Sequence, residues 1–381
     1  MLGACSLGGA GHLQPLRAPL DAARRLGADT LVAGPPAIAS IVGQAGLGFA
    51  ACGEPPEELV APIRERLPVA PAAEASVLGN RELFGRLATT AMLPGMERLV
   101  SDWRPDLIVR EPCEYASAVM GHREGVAVVQ VAIGLADVEW SAIGVAAPAL
   151  DAHRSGLTDE CRSTPYVSRL PASLDPSPFP DTRRFREAPS PATALPDWWD
   201  DSDRPLVYVS LGTVLGHMST AASVYRAVIA AVAELEVRVL LTVGRRFDTA
   251  ELGAVAPNVR VEPWVDQADA LAEADLVVCH GGSGTTYGAL AAGLPVVIVP
   301  LFADQFSNAR RVVAAGAGVS LDRRTPDGAR HPLDRIDIGG LAEAIEHVRA
   351  DDSFRRAARD VADEMAAFPT IDRLLEDLCS S

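Results

Sequence analysis

Short, nearly continuous apolar runs alternate with amphipathic stretches along most of this chain. Such runs predict strands that are covered on both faces, and the stretches between them predict crossover helices. In the second half we expect strands at 206–210, 237–242, 259–262, 276–279, 296–299 and 319–321. In the first half we expect thinner strands at 1–5, 30–32, 107–109 and 126–131, with a helix at 14–26. The alternation predicts the α/β class, with doubly wound parallel sheets.

A proline-rich segment separates the two halves. Eight prolines fall between residues 170 and 205, and the segment ends in the acidic run DWWDDSDRP. Because proline has no backbone N–H to give to a sheet, we interpret this segment as connector. The expected parts are a Rossmann-like domain, a linker, a second Rossmann-like domain and a C-terminal helix that packs back on the first domain, at 1–185, 186–205, 206–365 and 366–381.

Two open parallel sheets also indicate where function resides. Ligands of such sheets bind beyond the carboxyl ends of the strands, so the loops after the strands should carry the chemistry. We expect the two domains to face each other across a cleft lined by these loops.

The charge composition excludes several classes of protein. The chain has no lysine, and its 34 basic residues are all arginine. P-loop ATPases and pyridoxal phosphate enzymes need a lysine, so both are disfavoured. The net charge of -16 repels phosphate backbones and anionic membrane surfaces. We therefore expect neither nucleic acid nor a membrane as partner.

Cysteine spacing and hydropathy indicate the compartment. The six cysteines form no C-x-x-C pair and no cluster with histidine, which favours reduced, mostly buried thiols. No run of 18 apolar residues is present, so we expect a soluble cytoplasmic protein. The sequence leaves the oligomeric state open, a homodimer included.

The run DLVVCHGGSGTTYGAL places a glycine-rich turn between a buried strand and a helix. Glycines let a diphosphate approach the backbone, where the free N–H groups of the helix start can bind it. His280 and Thr285 add further donors. The competing interpretation is a lipase-like oxyanion loop, but Thr285 stands where a G-x-S-x-G elbow around Ser283 needs its last glycine.

Two neighbouring segments carry groups suited to a nucleotide sugar. Trp264 follows a predicted strand and could stack a nucleobase, with Gln267 beside it. Asp304 and Gln305 also follow a strand and could grip vicinal hydroxyls of a sugar ring. The ordinary alternatives are a core tryptophan and an Asp304 that caps a helix.

Near the amino terminus, the run SLGGAGHLQPL follows the first apolar run. Its glycines permit a sharp turn near a ligand, and His12 could project from the helix entrance; an incidental histidine is the alternative. Phe84, Met92 and Met96 could line an apolar acceptor pocket, although their helical spacing fits ordinary core more simply.

In this order, these elements resemble the inverting, metal-independent nucleotide-sugar glycosyltransferases of GT-B architecture. That group contains plant UDP-glycosyltransferases and bacterial antibiotic glycosyltransferases. The resemblance spans essentially the whole chain and is most specific between Trp264 and Asn308. It implies a donor site formed by Ser210, Gly212, Thr213, Trp264, Val265, Gln267, His280, Gly282, Ser283, Gly284, Thr285, Asp304 and Gln305.

The resemblance also implies catalytic roles. His12 matches the base that activates the acceptor, and Glu111 falls where the family places the acid partner of that base. It implies no cofactor and no metal ion, because the nucleotide sugar is a co-substrate and protein donors neutralise its diphosphate.

Two positions depart from the family pattern. The usual proline before Gln267 is Asp266, which puts the base-binding turn in question. Plant relatives carry a glutamate that binds the ribose hydroxyls where this chain has Gly288. Because a buried carboxylate without a hydroxyl partner is costly, glycine there suits a deoxyribose and favours a dTDP-sugar.

The resulting hypothesis is inverting transfer of a sugar, expected to be a deoxysugar, from a dTDP-sugar to a small hydrophobic natural product. A nucleotide-sugar 2-epimerase on the same architecture is one alternative. An inactive homologue that binds nucleotide sugar and activates a partner transferase is the other.

Overall fold

A computed structural model describes residues 1–7, 10–67, 70–187, 192–198, 203–216, 218–301, 304–322 and 340–379. The chain divides into two compact units, one formed by Met1–Ala188 with Phe368–Ser381 and the other by Pro189–Ala367. The chain thus leaves the first unit inside the proline-rich segment and returns to it for the last helix.

Over the described residues, the first unit contains one parallel sheet of seven strands in the order β3-β2-β1-β4-β5-β6-β7. The strands are β1 Leu2–Ala4, β2 Leu31–Gly34, β3 Phe49–Ala51, β4 Leu107–Arg110, β5 Ala127–Val131, β6 Tyr166–Ser168 and β7 Thr182–Arg184. In the central register, Gly3 lies between Val32 and Val109. The four strands predicted in this half are confirmed.

Three strands of this sheet were not predicted, and one of them contradicts the connector interpretation of 170–205. Strand β7 pairs in parallel with β6 at the sheet edge. It has three residues and none is proline, so its backbone donors are available although prolines surround it. Strands β3 and β6 also have only three residues each, too few for a hydrophobic period to show.

Helices cover both faces of this sheet. They are α1 Ala10–Arg25, α2 Ala39–Gln44, α3 Glu57–Arg66, α4 Ala72–Ser76, α5 Thr89–Trp103, α6 Ala116–Glu124, α7 Ala136–His153 and α8 Leu157–Ser163. A 3₁₀-helix spans Pro36–Ile38, and a π-helix spans Val77–Ala88 and runs directly into α5.

Over its described residues, the second unit contains a six-stranded parallel sheet in the order β10-β9-β8-β11-β12-β13. Its strands are β8 Leu206–Ser210, β9 Arg238–Thr242, β10 Val259–Glu262, β11 Leu276–Cys279, β12 Val296–Ile298 and β13 Gly318–Ser320. Each of the six predicted strands is confirmed to within about one residue, because fully buried strands leave continuous apolar runs.

The helices of this unit follow its strands in alternation. They are α9 Gly212–Leu215, α10 Ala221–Val232, α11 Gln267–Glu273, α12 Ser283–Ala291, α13 Gln305–Ala314, α14 Leu341–Ala350 and α15 Asp352–Ala366, with a 3₁₀-helix at Thr249–Leu252. No helix among the described residues has both the length and the apolar character needed to cross a bilayer.

The last helix, α16 Ile371–Cys379, belongs to the first unit. It buries Ile371 and Leu374 in the core that also contains residues of α1. At the surface, the guanidinium of Arg25 donates two hydrogen bonds to the Asp372 carboxylate, each 3.0 Å long. Pro369 lies between α15 and α16.

In both units the strand order reverses beside the first strand, between β1 and β4 and between β8 and β11. At such a reversal the loops of neighbouring strands diverge and leave a crevice. His12 and Glu111 lie after β1 and β4, and Ser210 and His280 lie at the ends of β8 and β11.

Gly95 gives a test of packing in the first unit. Helix α5 crosses the loop after β3 so closely that a Cβ at Gly95 would lie 1.9 Å from the Cys52 carbonyl oxygen. We expect Gly95→Ala to destabilise this unit by about 1–3 kcal/mol or more, measured by urea unfolding. Gly43 in α2 is the matched control, since a Cβ there meets nothing within 4 Å. Gly43→Ala should be neutral or slightly stabilising, and equal effects of both substitutions would contradict the packing.

Candidate functional site

In the second unit, His280 follows β11, and its imidazole lies between Gly212, which follows β8, and Gly282 of its own loop. A Cβ at Gly212 would lie 2.7 Å from the ring and one at Gly282 would lie 2.4 Å from it. Gly281 has φ +87, a backbone conformation that favours glycine. The glycines predicted for this loop are therefore needed both to turn the chain and to admit the histidine side chain.

Burial lowers the pKa of His280 to about 4, against the opposing effect of a hydrogen bond with the Ser210 backbone. The imidazole is therefore neutral near pH 7 and carries one N–H donor. Helix α12 begins immediately afterwards at Ser283, and its first turn contains no acidic residue. Its unpaired first-turn amides and the positive end of its dipole suit an anion.

A buried asparagine connects this loop to Asp304. Asn308 is fully buried, and its Nδ2 donates to the Gly281 carbonyl at 2.7 Å and to the Asp304 carboxylate at 3.1 Å. Its Oδ1 accepts the Tyr287 hydroxyl at 2.6 Å, while Ser283 Oγ donates to Asp304 at 3.3 Å. No role was predicted for Asn308. The available signal was its position one helical turn after Asp304.

Asp304 and Gln305 have different surroundings. Asp304 is half-buried and precedes α13 without a capping hydrogen bond from its side chain, so the capping alternative is not observed. Gln305 is only 3% exposed, and its Oε1 accepts the backbone N–H of Leu301 at 2.8 Å. That contact holds the backbone at Leu301, and the predicted contact of Gln305 with sugar hydroxyls stays a prediction.

Trp264 follows β10 and is half exposed, so it is not the core tryptophan of the alternative interpretation. The guanidinium of Arg245 lies 4.9 Å from the ring centre. Asp266 accepts the N–H of Ala268 at 2.9 Å and so caps α11. The Asp266 side chain thus fixes the start of α11 at Gln267.

Gln267 occupies the space beside Gly288. Its Nε2 donates to the Gly284 carbonyl at 3.3 Å. A Cβ at Gly288 would lie 2.4 Å from that Nε2. A larger residue at 288 would have to displace the Gln267 side chain. The side chain of Thr213, which was predicted to bind phosphate, lies outside the described part of the chain.

In the first unit, His12 and Glu111 meet as the sequence analysis expected. His12 lies in the first turn of α1, and its Nδ1 is 3.2 Å from Oε2 of Glu111. Glu111 has no exposure, whereas the His12 side chain is 18% exposed. The pair thus combines a buried carboxylate with an imidazole that solvent reaches.

Glu111 is held in its charged form. Burial favours the protonated acid, but His12 and the N–H groups of Ser6 and Cys113 together lower the pKa of Glu111. Ser6 N donates to Oε1 at 2.9 Å, and Cys113 N donates to Oε2 at 2.7 Å. The carboxylate can therefore orient and charge-stabilise the imidazole.

The loop that carries Glu111 is clamped by a buried arginine that the sequence analysis missed. Arg110 has no exposure. Its Nε donates to the Glu114 carbonyl at 2.5 Å, one terminal nitrogen to the Pro112 carbonyl at 2.9 Å and the other to Gln130 Oε1 at 2.5 Å. The available signal was a charged residue at the end of an apolar strand.

The three residues predicted to bind the acceptor separate into two environments. Phe84, on the π-helix, packs against His12 with ring centres 5.6 Å apart and stays a prediction. Met92 and Met96 are 1% and 0% exposed and lie in the core with Leu2 and Ile108. The expectation that they line an open pocket is wrong, because their helical spacing serves core packing.

Comparisons with known proteins identify the family of this chain. Two domain models described as "Erythromycin biosynthesis protein CIII-like" match, the N-terminal one over residues 21–212 and the C-terminal one over 226–380. L-demethylnoviosyl transferase of Streptomyces niveus is 33% identical over 375 residues, which cover 96% of this chain and 94% of the relative. Elloramycin glycosyltransferase ElmGT of Streptomyces olivaceus is 31% identical over 311 residues, with 75% and 70% covered.

Solved glycosyltransferase structures share the fold. SnogD from Streptomyces nogalater matches with a TM-score of 0.77 and 26% identity, covering 100% of this chain and 98% of that one. Spinosyn rhamnosyltransferase SpnG complexed with thymidine diphosphate has a TM-score of 0.79 and 23% identity, covering 99% of each chain. The expected pair of Rossmann-like domains is confirmed, and the chain belongs to the EryCIII-like family of GT-B glycosyltransferases.

Proposed function

We propose that this glycosyltransferase moves a sugar from a dTDP-sugar to a hydroxyl of a small apolar natural product, with inversion at the anomeric carbon. The observation that carries the proposal is the contact between His12 and the buried, ionised Glu111. An imidazole beside a carboxylate is suited to take a proton near neutral pH.

In the proposed reaction, His12 takes the proton of the acceptor hydroxyl as its oxygen attacks the anomeric carbon. The bond from that carbon to the diphosphate oxygen breaks at the same time, and dTDP leaves with the electron pair. Glu111 stabilises the imidazolium that forms and fixes the ring orientation. The first unit binds the acceptor, and the second unit binds the donor.

The leaving diphosphate is stabilised by protein donors in this proposal. When the donor binds, the neutral imidazole of His280 transfers its single hydrogen bond from the Ser210 backbone to the diphosphate, and the amides at the start of α12 donate others. Because these donors are fixed before the reaction, they need little reorganisation as charge develops on the diphosphate. No metal ion is required.

Gly288 supports a deoxyribose in the donor. The position offers no carboxylate to a ribose 2′-hydroxyl, and Gln267 fills the adjacent space. The fold neighbour SpnG was solved with thymidine diphosphate. The Streptomyces niveus relative is named for transfer of an L-demethylnoviosyl group, and other relatives are named rhamnosyltransferases. These names agree with a glycosyl donor of the proposed class.

Replacing the base tests the mechanism. We expect His12→Ala to lower kcat by about 10² to 10⁴, because general base assistance contributes roughly that factor. The Kd for dTDP, measured by calorimetry, should not change, since His12 lies outside the donor site. His122→Ala, at an exposed histidine on α6, is the control and should keep full turnover. A His12→Ala enzyme with undiminished kcat would remove His12 from the mechanism.

Arg110 is proposed to act through Glu111, as a positioning residue. Arg110→Lys keeps the buried charge but cannot hold the Pro112 and Glu114 carbonyls and Gln130 together. We expect kcat to fall on the order of tenfold to a hundredfold, with the donor KM unchanged. In a Glu111→Gln background, the same substitution should lower kcat little further. A full additional loss in that background would indicate a structural role independent of Glu111.

The nucleotide preference can be tested at position 288. Gly288→Glu supplies a carboxylate that accepts ribose hydroxyls, so we expect the ratio of UDP to dTDP affinity to rise by about tenfold or more. Gly288→Ala also displaces Gln267 but adds no carboxylate, and it serves as the matched control. Calorimetry with both nucleotides measures the ratio. An equal ratio in wild type and Gly288→Glu would contradict the role of Gly288.

A further inference from the structure

The proposed base pair has a third neighbour, the thiol of Cys113. A ring nitrogen of His12, a carboxylate oxygen of Glu111 and Sγ of Cys113 all lie within 4.8 Å of one another. Among the residues that the structure describes, these are the one group of three histidine, cysteine or acidic side chains that lie close enough together to share an ion. None of the roles assigned above uses the Cys113 side chain.

We propose that His12, Glu111 and Cys113 form an inhibitory site for a thiophilic divalent cation such as Zn²⁺. Nitrogen, carboxylate oxygen and sulfur are the ligand atoms that zinc takes in proteins. Three protein ligands leave the fourth tetrahedral position to water. Mg²⁺ and Ca²⁺ prefer sites made of oxygen atoms, so this ligand set selects against them.

The distances suit a zinc ion after a small movement. Zinc bonds of about 2.0–2.3 Å at a tetrahedral angle separate the ligand atoms by roughly 3.3–3.8 Å. Nδ1 of His12 and Oε2 of Glu111 are already 3.2 Å apart. Cys113 lies on the same loop as Glu111 and is half-buried, and the site requires its side chain to rotate until Sγ reaches bonding distance.

Hydrogen bonds to Glu111 and the solvent exposure of His12 also favour an ion at this site. Backbone N–H groups of Ser6 and Cys113 fix the Glu111 carboxylate, as hydrogen bonds around metal ligands do in established sites. The His12 side chain is 18% exposed, so an ion can enter from solvent. On binding, the thiol releases its proton to solvent, and the neutral imidazole carries its proton on Nε2 while Nδ1 binds the ion.

Inhibition follows because the cation and a proton occupy the two ring nitrogens of His12. This step rests on the proposed function. With the cation on Nδ1 and a proton on Nε2, the ring has no lone pair left for the acceptor proton. The cation also takes the carboxylate that would stabilise the imidazolium. Turnover should stop while dTDP binding continues.

The first experiment detects the site without turnover. Metal-free protein is titrated with Co²⁺, which adopts zinc sites and reports thiolate ligation by a charge-transfer band. We expect that band in wild type, its loss in Cys113→Ser and in His12→Ala, and its removal by added Zn²⁺. Mg²⁺ should leave the spectrum unchanged. A wild-type spectrum without the band would contradict the site.

The second experiment measures inhibition, each variant being compared with its own rate in chelator. We expect Zn²⁺ to inhibit wild type and the inhibitory concentration to rise at least about tenfold in Cys113→Ser. Equal sensitivity of the two proteins would overturn the proposal. A charge-transfer band in wild type together with full turnover in Zn²⁺ would instead contradict the role of His12 as base. The two experiments thus separate failure of the site from failure of the mechanism.

Discussion

A carboxylate without solvent contact lies at the point where the strand order of the first sheet reverses. Keeping Glu111 ionised there requires compensation, because a buried charge is costly unless it is paired and hydrogen-bonded. The chain supplies two backbone amides and the imidazole of His12. The backbone beyond β4 must therefore follow one path, and Arg110 fixes that path through the carbonyls of Pro112 and Glu114.

The second unit also buries an ionisable side chain in its candidate site, but there the side chain is neutral. His280 is buried, and burial lowers its pKa to about 4. Gly212 and Gly282 leave room for the ring. Asn308 holds the loop, because its Nδ2 donates a hydrogen bond to the Gly281 carbonyl. A neutral imidazole N–H beside a helix start can donate to an anion without the ring first gaining a proton. In each unit, the proposed site residues lie where parallel strands end and a short loop bends sharply.

The sequence predicted those parts that depend on local pattern. Strands of the second sheet are buried on both faces, so their apolar runs located them closely. Strand β7 was missed because a three-residue edge strand needs pairing on only one side and leaves no period. Arg110 and Asn308 were missed for a different reason. Both act through hydrogen bonds to backbone carbonyls, and the weak signals at these two positions do not identify which carbonyls they bind.

Met92 and Met96 show the opposite error. Both were offered as acceptor contacts because their side chains are apolar, but both are buried in the core of the first unit. His12 and Glu111 were assigned correctly as neighbours although 99 positions separate them in the sequence. That assignment came from resemblance to a family, since no local pattern in the sequence links the two residues.

In the proposed mechanism, ionised Glu111 stabilises the protonated form of His12 during turnover. The most direct measurement is the pH dependence of kcat for wild type and for Glu111→Gln at saturating donor and acceptor. An adjacent negative charge raises the pKa of an imidazole, so its removal should move the acid limb of the profile to lower pH by about one unit or more. An acid limb that stays in place in Glu111→Gln would contradict the account.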